Sequence, residues 1–288
     1  MLVKKIYSFW FLVPVVAIYS LFFILPVVVG AGYSFTNWNS MLDTPGFVGF
    51  QNYIEILSTS GQYFKSLLIT LVFTGVTVVI KSACGLGLAV LLNNRIMGKN
   101  ALRGIFFLPN TLSPLIIGIL FVSILAPSGL LNSVLNFAGL EKIATNWLTN
   151  PETVLGATIG VETWRMVGWN MVMFMAGLQV IPKDYYEASS IDGASVLTQF
   201  TKITLPLLKP VLMITIVLNT IHGIKVFDLV FALTGGGPGR LTEVLNISVF
   251  REFSIGRYGM STALGIVVFA IAVIFAMLIK NTMTRQED

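Results

Sequence analysis

The rest of the chain is arranged around the stretch YEASSIDGASVLTQFTKITLPLLKP, residues Tyr186 to Pro210. This stretch combines mixed charge, small side chains and amphipathic spacing in a chain that is 55% hydrophobic and has a mean hydropathy of +0.85. Just before it, Pro182 suits the first turn of a helix, and the carboxylates of Asp184 and Glu187 favour the positive end of the helix dipole. Gly193 then permits a sharp turn.

A second short helix is predicted after this turn. Val196, Phe200 and Ile203 recur at intervals of four and three residues, which places them on one helical face. Pro206 is expected to end this helix, because proline lacks the N–H that a helix interior needs. The pattern predicts a helix–turn–helix bracket between two membrane spans, with small residues that let another surface approach the backbone closely.

At these positions the chain resembles the permease subunits of binding-protein-dependent ABC importers. Their signature, the EAA loop, reads Glu-Ala-Ala, three residues, Gly, nine residues, Ile, one residue, Leu-Pro. The matching residues here are Glu187, Ala188, Asp192, Gly193, Ala194, Ile203, Leu205 and Pro206, and Ser189 replaces the second alanine. The resemblance implies that residues 181–206 form a coupling helix that seats in a groove of an ATP-binding subunit. The alternative is an ordinary amphipathic connector.

Composition indicates a membrane protein. Only 11% of the 288 residues are charged, which is too few for a soluble domain of this length. The net charge of +5 does not indicate nucleic-acid binding, because the basic residues gather in loops on one side. We expect an all-α, polytopic membrane protein in which residues 1–288 form one permease domain.

Six stretches are predicted to cross about 30 Å of hydrocarbon as helices. They cover about 9–35, 66–92, 104–126, 153–180, 206–233 and 261–279. Arg95, Lys99 and Arg103 follow the second stretch without an acidic residue, which assigns that loop to the cytoplasm. With this orientation, ten lysines and arginines lie inside and five outside. Both termini are then cytoplasmic, and the bracket between helices 4 and 5 lies on the side where ATP is.

Motifs for chemistry are lacking. The chain has one histidine and one cysteine, and neither a His-Glu-x-x-His pair nor a Gly-x-Ser-x-Gly elbow. The glycine-rich stretch 234–240 lacks the Gly-Lys-[Ser/Thr] of a phosphate-binding loop. One interpretation is a flexible outer turn. In the other, this stretch and the Phe227–Asp228 pair that precedes it are typical of carbohydrate permeases and belong to the resemblance. We expect no catalytic activity, metal or cofactor in this chain, and ATP hydrolysis on a separate subunit.

Polar side chains within the fourth and fifth predicted spans are candidates for a substrate path, since polar groups are costly inside a membrane. The candidates are Glu162, Trp164, Arg165, Trp169, Asn170, Asn219 and His222. In one interpretation they meet near mid-depth, where tryptophans stack on a sugar and the amides and imidazole bind its hydroxyls. In the other, Glu162 pairs with Arg165 and Lys225 with Asp228, and the tryptophans only pack between helices.

The resemblance implies a function and a set of partners. It implies a permease subunit that moves a sugar or oligosaccharide across a bacterial-type cell membrane by alternating access. Its partners would be a lipid bilayer, a dimer of ABC ATPases, a second permease in a heterodimer, an extracytoplasmic solute-binding protein and the sugar, with no nucleic acid. One alternative cargo is a polyol, glycerol phosphate or another small polar solute, because Arg165 and Lys225 could attract an anion. A non-transporting membrane scaffold or receptor is the more distant alternative.

Overall fold

A computed structural model describes residues 9–41, 44–59, 61–94 and 97–284. Within these ranges the chain is helical, with no β-strand and one isolated bridge between Thr36 and Phe47. The predicted all-α fold is confirmed. The α-helices are α1 (Leu12–Tyr19), α2 (Leu25–Tyr33), α3 (Gln51–Leu57), α4 (Gln62–Asn93), α5 (Lys99–Thr111), α6 (Pro114–Ile124), α7 (Leu130–Phe137), α8 (Val154–Val180), α9 (Lys183–Ile191), α10 (Val196–Gln199), α11 (Leu205–Ile224), α12 (Asp228–Thr234), α13 (Leu245–Ser254) and α14 (Tyr258–Thr284). Short 3-10 helices cover Phe9–Phe11 and Glu141–Ile143, and π-helical turns cover Ser20–Ile24 and Phe200–Thr204.

Several of these helices are suited to cross a membrane. In the described part of the chain, four stretches are long and apolar enough: Leu12–Tyr33, Gln62–Asn93, Val196–Ile224 and Tyr258–Thr282. The bent pair formed by α5 and α6 is a fifth if it is one span. The prediction of a polytopic membrane protein is therefore confirmed. The six-span count and the cytoplasmic position of both termini remain predictions, and Arg95 of the basic loop lies outside the described residues.

The helix predicted over 104–126 is broken. Its two parts, α5 and α6, are inclined by 99°. Leu112 and Ser113 have extended backbone angles, with ψ of 149° and 132°. Proline disfavours the helical conformation in the residue before it, so Pro114 ends one helix and begins the next.

The helix predicted over 206–233 begins earlier and ends sooner. Helical structure runs from Val196 through the π-helical turn into α11 and stops at Ile224. The expectation that Pro206 ends the preceding helix was wrong, because Pro206 lies in the first turn of α11. Within the π-helical turn, the N–H of Leu205 bonds to the carbonyl of Phe200, five residues back. This wider turn accommodates a proline that cannot donate a bond of its own.

Helix α8 closely matches the stretch predicted over 153–180. Its 27 residues reach about 40 Å at 1.5 Å per residue. It is less apolar than the four candidate spans, because its buried face carries Glu162, Arg165 and Asn170. Gly168 brings α8 against α5, since a Cβ at this position would overlap the backbone of Phe106.

The chain divides into two compact units. The first unit comprises the described residues up to Phe64 together with Ser248–Val267, and the second comprises Lys65–Ile247 and the described residues from Val268. Among the described residues, the core of the second unit includes hydrophobic clusters around Phe73, Phe174 and Leu229.

In the first unit, backbone bonds join the segment after α2 to the turn before α14 and to the first turn of α14. Ser40 donates to the carbonyl of Gly256 at 2.9 Å, and Gly259 donates to the carbonyl of Trp38 at 2.9 Å. A Cβ at Gly259 would overlap the carbonyl of Thr36, so this contact requires glycine. The two segments are therefore in direct backbone contact.

Candidate functional site

The EAA-like stretch forms the predicted bracket. Pro182 is the N-cap of α9, one position earlier than expected, and Asp184 lies in the first turn. Gly193 makes the turn with φ of +77°, a left-handed conformation that costs little only for glycine. The side chain of Ser195 then caps α10 by accepting a bond from the N–H of Thr198 at 3.2 Å.

Most of the EAA-like residues lie at the surface. Exposed are Glu187, Ala188, Asp192, Gly193, Leu205 and Pro206, whereas Ala194 and Ile203 are half-buried. Three large apolar side chains beside them are strongly exposed: Ile191 by 87%, Val196 by 82% and Leu197 by 72%. Sequence reasoning missed Ile191 and Leu197, although two adjacent apolar residues directly after a turn were a usable signal. Such a patch is typical of a surface that another protein covers.

Hydrogen bonds hold the bracket together and attach it to the next helix. The hydroxyls of Tyr186 and Thr204 lie 2.9 Å apart, which links α9 to the π-helical turn. The hydroxyl of Ser190 donates to the carbonyl of Tyr186 at 2.7 Å and accepts from the amide of Gln199 at 2.9 Å. The roles of Tyr186 and Gln199 were not predicted. These bonds connect the bracket to the helical stretch that continues into α11.

A buried polar cluster lies on three helices of the second unit. Glu162 on α8 is fully buried and accepts bonds from Arg165 at 3.0 and 3.1 Å. Lys81 on α4, also fully buried, donates to the same carboxylate at 3.2 Å. Nε2 of His222 on α11 lies 3.1 Å from Glu162 and 3.0 Å from Arg165. One carboxylate therefore faces two cationic side chains and an imidazole.

A second polar contact joins α8 and α11. The amide of Asn219 donates to Oδ1 of Asn170 at 2.6 Å, and Asn170 donates to the carbonyl of Met166 at 3.0 Å. The carbonyl oxygen of the Asn219 side chain is buried and has no partner among the described residues. Gly85 on α4 lies against Asn170, where a Cβ would overlap it.

The other candidates lie apart from these contacts. The ring of Trp164 is 44% exposed and packs on Phe121 at a centroid distance of 5.1 Å. Trp169 is half-buried, and no hydrogen bond joins either tryptophan to the described polar cluster. Lys225 and Asp228 are both exposed, and the ion pair considered for them does not form within the described structure.

The glycine-rich stretch 234–240 is tied down by hydrogen bonds. The hydroxyls of Thr234 and Thr242 lie 2.6 Å apart, and Thr242 also donates to the carbonyl of Gly237 at 2.7 Å. Gly235, Gly236 and Gly239 have positive φ, which explains the need for glycine at these turns. The stretch is a structured turn, with bonds between its backbone and the hydroxyls of Thr234 and Thr242.

Comparisons with known proteins identify the family. Residues 81–285 match the family described as binding-protein-dependent transport system inner membrane component. The trehalose/maltose transport system permease protein MalF of Thermococcus litoralis is 36% identical over 232 residues, which are 80% of this chain and 78% of that protein. The multiple sugar-binding transport system permease protein MsmF of Streptococcus mutans is 35% identical over 250 residues, which are 86% and 85% of the two chains.

A solved structure shares the fold. One chain of a bacterial ABC transporter involved in the import of the acidic polysaccharide alginate is similar with a TM-score of 0.82 and 24% identity. The similarity covers 96% of this chain and 94% of that chain. Since the family match covers well over half of the sequence and two relatives exceed 30% identity, this chain belongs to the inner membrane components of binding-protein-dependent transport systems.

Proposed function

We propose that this chain is the permease subunit of an ATP-driven importer that moves a sugar or oligosaccharide into the cytoplasm. The names of its relatives support this cargo, because they are permeases of trehalose/maltose and multiple-sugar transport systems. The exposed bracket that is hydrogen-bonded to the helical stretch leading into α11 is the observation that carries the proposal.

The bracket is the contact with the ATPase in this proposal. Its apolar side chains Ile191, Val196 and Leu197 are exposed and suited to burial in a groove of a partner. Because Tyr186 bonds to Thr204 just before α11, a displacement of the bracket moves that helix with it. Helix α11 also carries the side chains that contact α8, so ATPase closure is coupled to the polar contacts within the span. This is the movement that alternating access needs.

Within the span, Asn170, Asn219 and His222 are the best candidates to meet a sugar. The side-chain carbonyl of Asn219 lacks a partner among the described residues, and the His222 side chain is 39% exposed. Arg165 is a weaker candidate for an anionic solute, because it already bonds to Glu162. A neutral, hydroxyl-rich solute fits these groups better than glycerol phosphate does.

The remaining partners follow from the same proposal. ATP hydrolysis is assigned to a dimer of separate ATPase subunits, and a solute-binding protein delivers the sugar from outside. A second six-span permease completes the pathway as a heterodimer.

Purification of the tagged chain from its native membrane in mild detergent tests this proposal. We expect an ATP-binding subunit and a second permease to co-purify. ATP hydrolysis by the complex with its binding protein should rise at least fivefold with one of maltose, trehalose, maltotriose or raffinose, and not with glycerol 3-phosphate. If only glycerol 3-phosphate stimulates ATP hydrolysis, the cargo is an anionic solute and not a sugar. Recovery of the chain without an ATPase, from a preparation that preserves other membrane complexes, would favour a scaffold.

A further inference from the structure

A polar cavity lies within the first unit, beside the ends of helices α2, α3 and α14. Its volume is about 350 Å³, near the lower end of the usual range for small-ligand sites, about 300–1,000 Å³. Most of its polar lining consists of side-chain amides and one charged pair. These residues are Asn37, Asn39, Gln51, Asn52, Glu55 and Arg257.

Aromatic residues at the ends of two candidate spans lie beside this cavity. Tyr33 is the last residue of one candidate span, and Tyr258 is the first residue of another. The ring of Trp38, which lines the cavity, packs against both, with centroid distances of 4.3 Å to Tyr33 and 4.9 Å to Tyr258. Tryptophan and tyrosine concentrate at the level of lipid head groups. We therefore expect the cavity to lie at the level of the head groups.

Two carboxylates, one in the cavity lining and one outside it, lie close to Arg257. Nη2 of Arg257 lies 3.5 Å from Oε1 of Glu55, and both side chains are nearly half-exposed. Nη1 of the same arginine lies 3.1 Å from the buried carboxylate of Glu252. Partial burial acts to lower the pKa of Arg257, but Tyr63 and these two carboxylates outweigh it and hold the pKa above its ordinary value. One permanent cation thus faces two carboxylates.

Several groups in the cavity remain available to a ligand. Among the described residues, Oε2 of Glu55 and the side-chain amide of Gln51 have no hydrogen-bond partner. The long contact between Glu55 and Arg257 is a weak exposed pair, which leaves both able to bond elsewhere. A ligand with its own positive and negative groups would match this arrangement.

We infer that this cavity binds the head group of phosphatidylethanolamine. The carboxylate of Glu55 accepts bonds from the ammonium group, and Arg257 with the amides of Asn37 and Gln51 faces the phosphate. The apolar stretch Leu12–Tyr33 of the same unit has no buried residue in its most apolar window, so it offers a surface for the acyl chains. A choline head group has no N–H to donate to Glu55. A glycerol head group has no ammonium group to pair with Glu55, so its phosphate adds a negative charge beside this carboxylate.

Lipid binding to the purified, delipidated full-length chain tests the inference. The chain is incubated with dioleoyl phosphatidylethanolamine, phosphatidylcholine or phosphatidylglycerol, and retained lipids are counted by native mass spectrometry. We expect at least fivefold more ethanolamine lipid than either other lipid, and less than twofold preference in Glu55→Gln. Gln51→Leu, which changes no charge, should also reduce the preference.

The matched control is Glu141→Gln, which removes an exposed carboxylate in the second unit and should leave the preference unchanged. Equal retention of the three lipids by the unchanged chain would overturn the inference, as would a preference that survives Glu55→Gln. Glycerophosphoethanolamine, which has the same head group without acyl chains, should not displace the lipid at equal concentration. Displacement at that concentration would assign the cavity to a soluble zwitterion and overturn the lipid site.

Discussion

Asn219 donates a 2.6 Å hydrogen bond to Asn170, which joins α11 to α8. This bond lies about one helical turn along α11, and about two turns along α8, from the contact between His222 and Glu162. The two helices are therefore connected at two polar levels. At the first level an acceptor on Asn219 remains without a partner in the described structure, and at the second a single carboxylate is shared by several donors. The first level is suited to a ligand, and the second to holding the helices together.

Alanine at Asn170 or Asn219 should weaken sugar recognition. Loss of one hydrogen bond is worth about 0.5–1.5 kcal/mol, so each change should raise the KM of uptake by roughly 2–10-fold. Because the two amides bond to each other, the double variant should lose less than the sum of the single losses. Uptake measured over several sugars tests this, with Asn136→Ala, which changes an exposed amide on α7, as the control. Unchanged uptake and unchanged sugar preference would remove both residues from the substrate path.

Glu162→Gln should destabilise the fold strongly. It removes the carboxylate that Lys81 and Arg165 share and leaves two cations buried without their partner. Loss of one member of a buried charged group costs about 3–5 kcal/mol. We expect a large decrease in the thermal unfolding temperature and in the yield of folded protein, while Glu141→Gln at an exposed position has no such effect. A variant as stable as the parent would show that the buried charges do not depend on Glu162.

Lys81→Met should be tolerated, unlike Glu162→Gln. Removal of this cation leaves Glu162 paired with Arg165, and methionine fills a similar volume in the same buried position. Because the carboxylate keeps Arg165 and His222 as partners, no buried charge is left alone, and the loss of stability should be smaller than the roughly 3–5 kcal/mol expected for Glu162→Gln. Thermal unfolding of the two variants side by side checks the difference. A loss as large as that of Glu162→Gln would identify Lys81 as the main partner of the carboxylate.

Local patterns predicted the bracket and the pair of Glu162 with Arg165, because both depend on spacing along one short segment. Lys81 was not among the candidates, since its partner is 81 residues away and only packing of α4 against α8 brings them together. Whether a helix ends or continues at a proline was also not predictable from the sequence pattern. Pro114 separates two helices, whereas a helix continues through Pro206, because the preceding π-helical turn accommodates the missing donor. Sequence spacing does not distinguish these two outcomes.

Replacement of both Ile191 and Leu197 by serine should weaken binding of the ATPase and leave folding unchanged. Both side chains are exposed, so their replacement should leave the stability of the isolated chain within about 0.5 kcal/mol. Loss of two apolar contacts should reduce the amount of ATPase that co-purifies by more than tenfold, if these residues lie near the centre of the interface. Phe137→Ser is the matched control, because Phe137 is 95% exposed on α7, outside the bracket. Full recovery of the ATPase by the double variant would place the contact elsewhere.

Valine at Gly193 should uncouple ATP hydrolysis from uptake. A Cβ at this position meets no atom within 4 Å, so any effect arises from the left-handed backbone with φ of +77° and not from a clash. A β-branched residue is poorly tolerated there, at a cost of roughly 1–2 kcal/mol, whereas asparagine adopts this conformation more readily. We therefore expect Gly193→Val to lower uptake at least tenfold with normal membrane insertion and continued ATP hydrolysis, and Gly193→Asn to keep most of the uptake. Gly139→Val provides the matched control, since Gly139 has φ of +74° and is equally open but lies outside the bracket. An equal loss in Gly139→Val would attribute the effect to backbone strain alone, and normal uptake by Gly193→Val would reject the role of this turn in coupling.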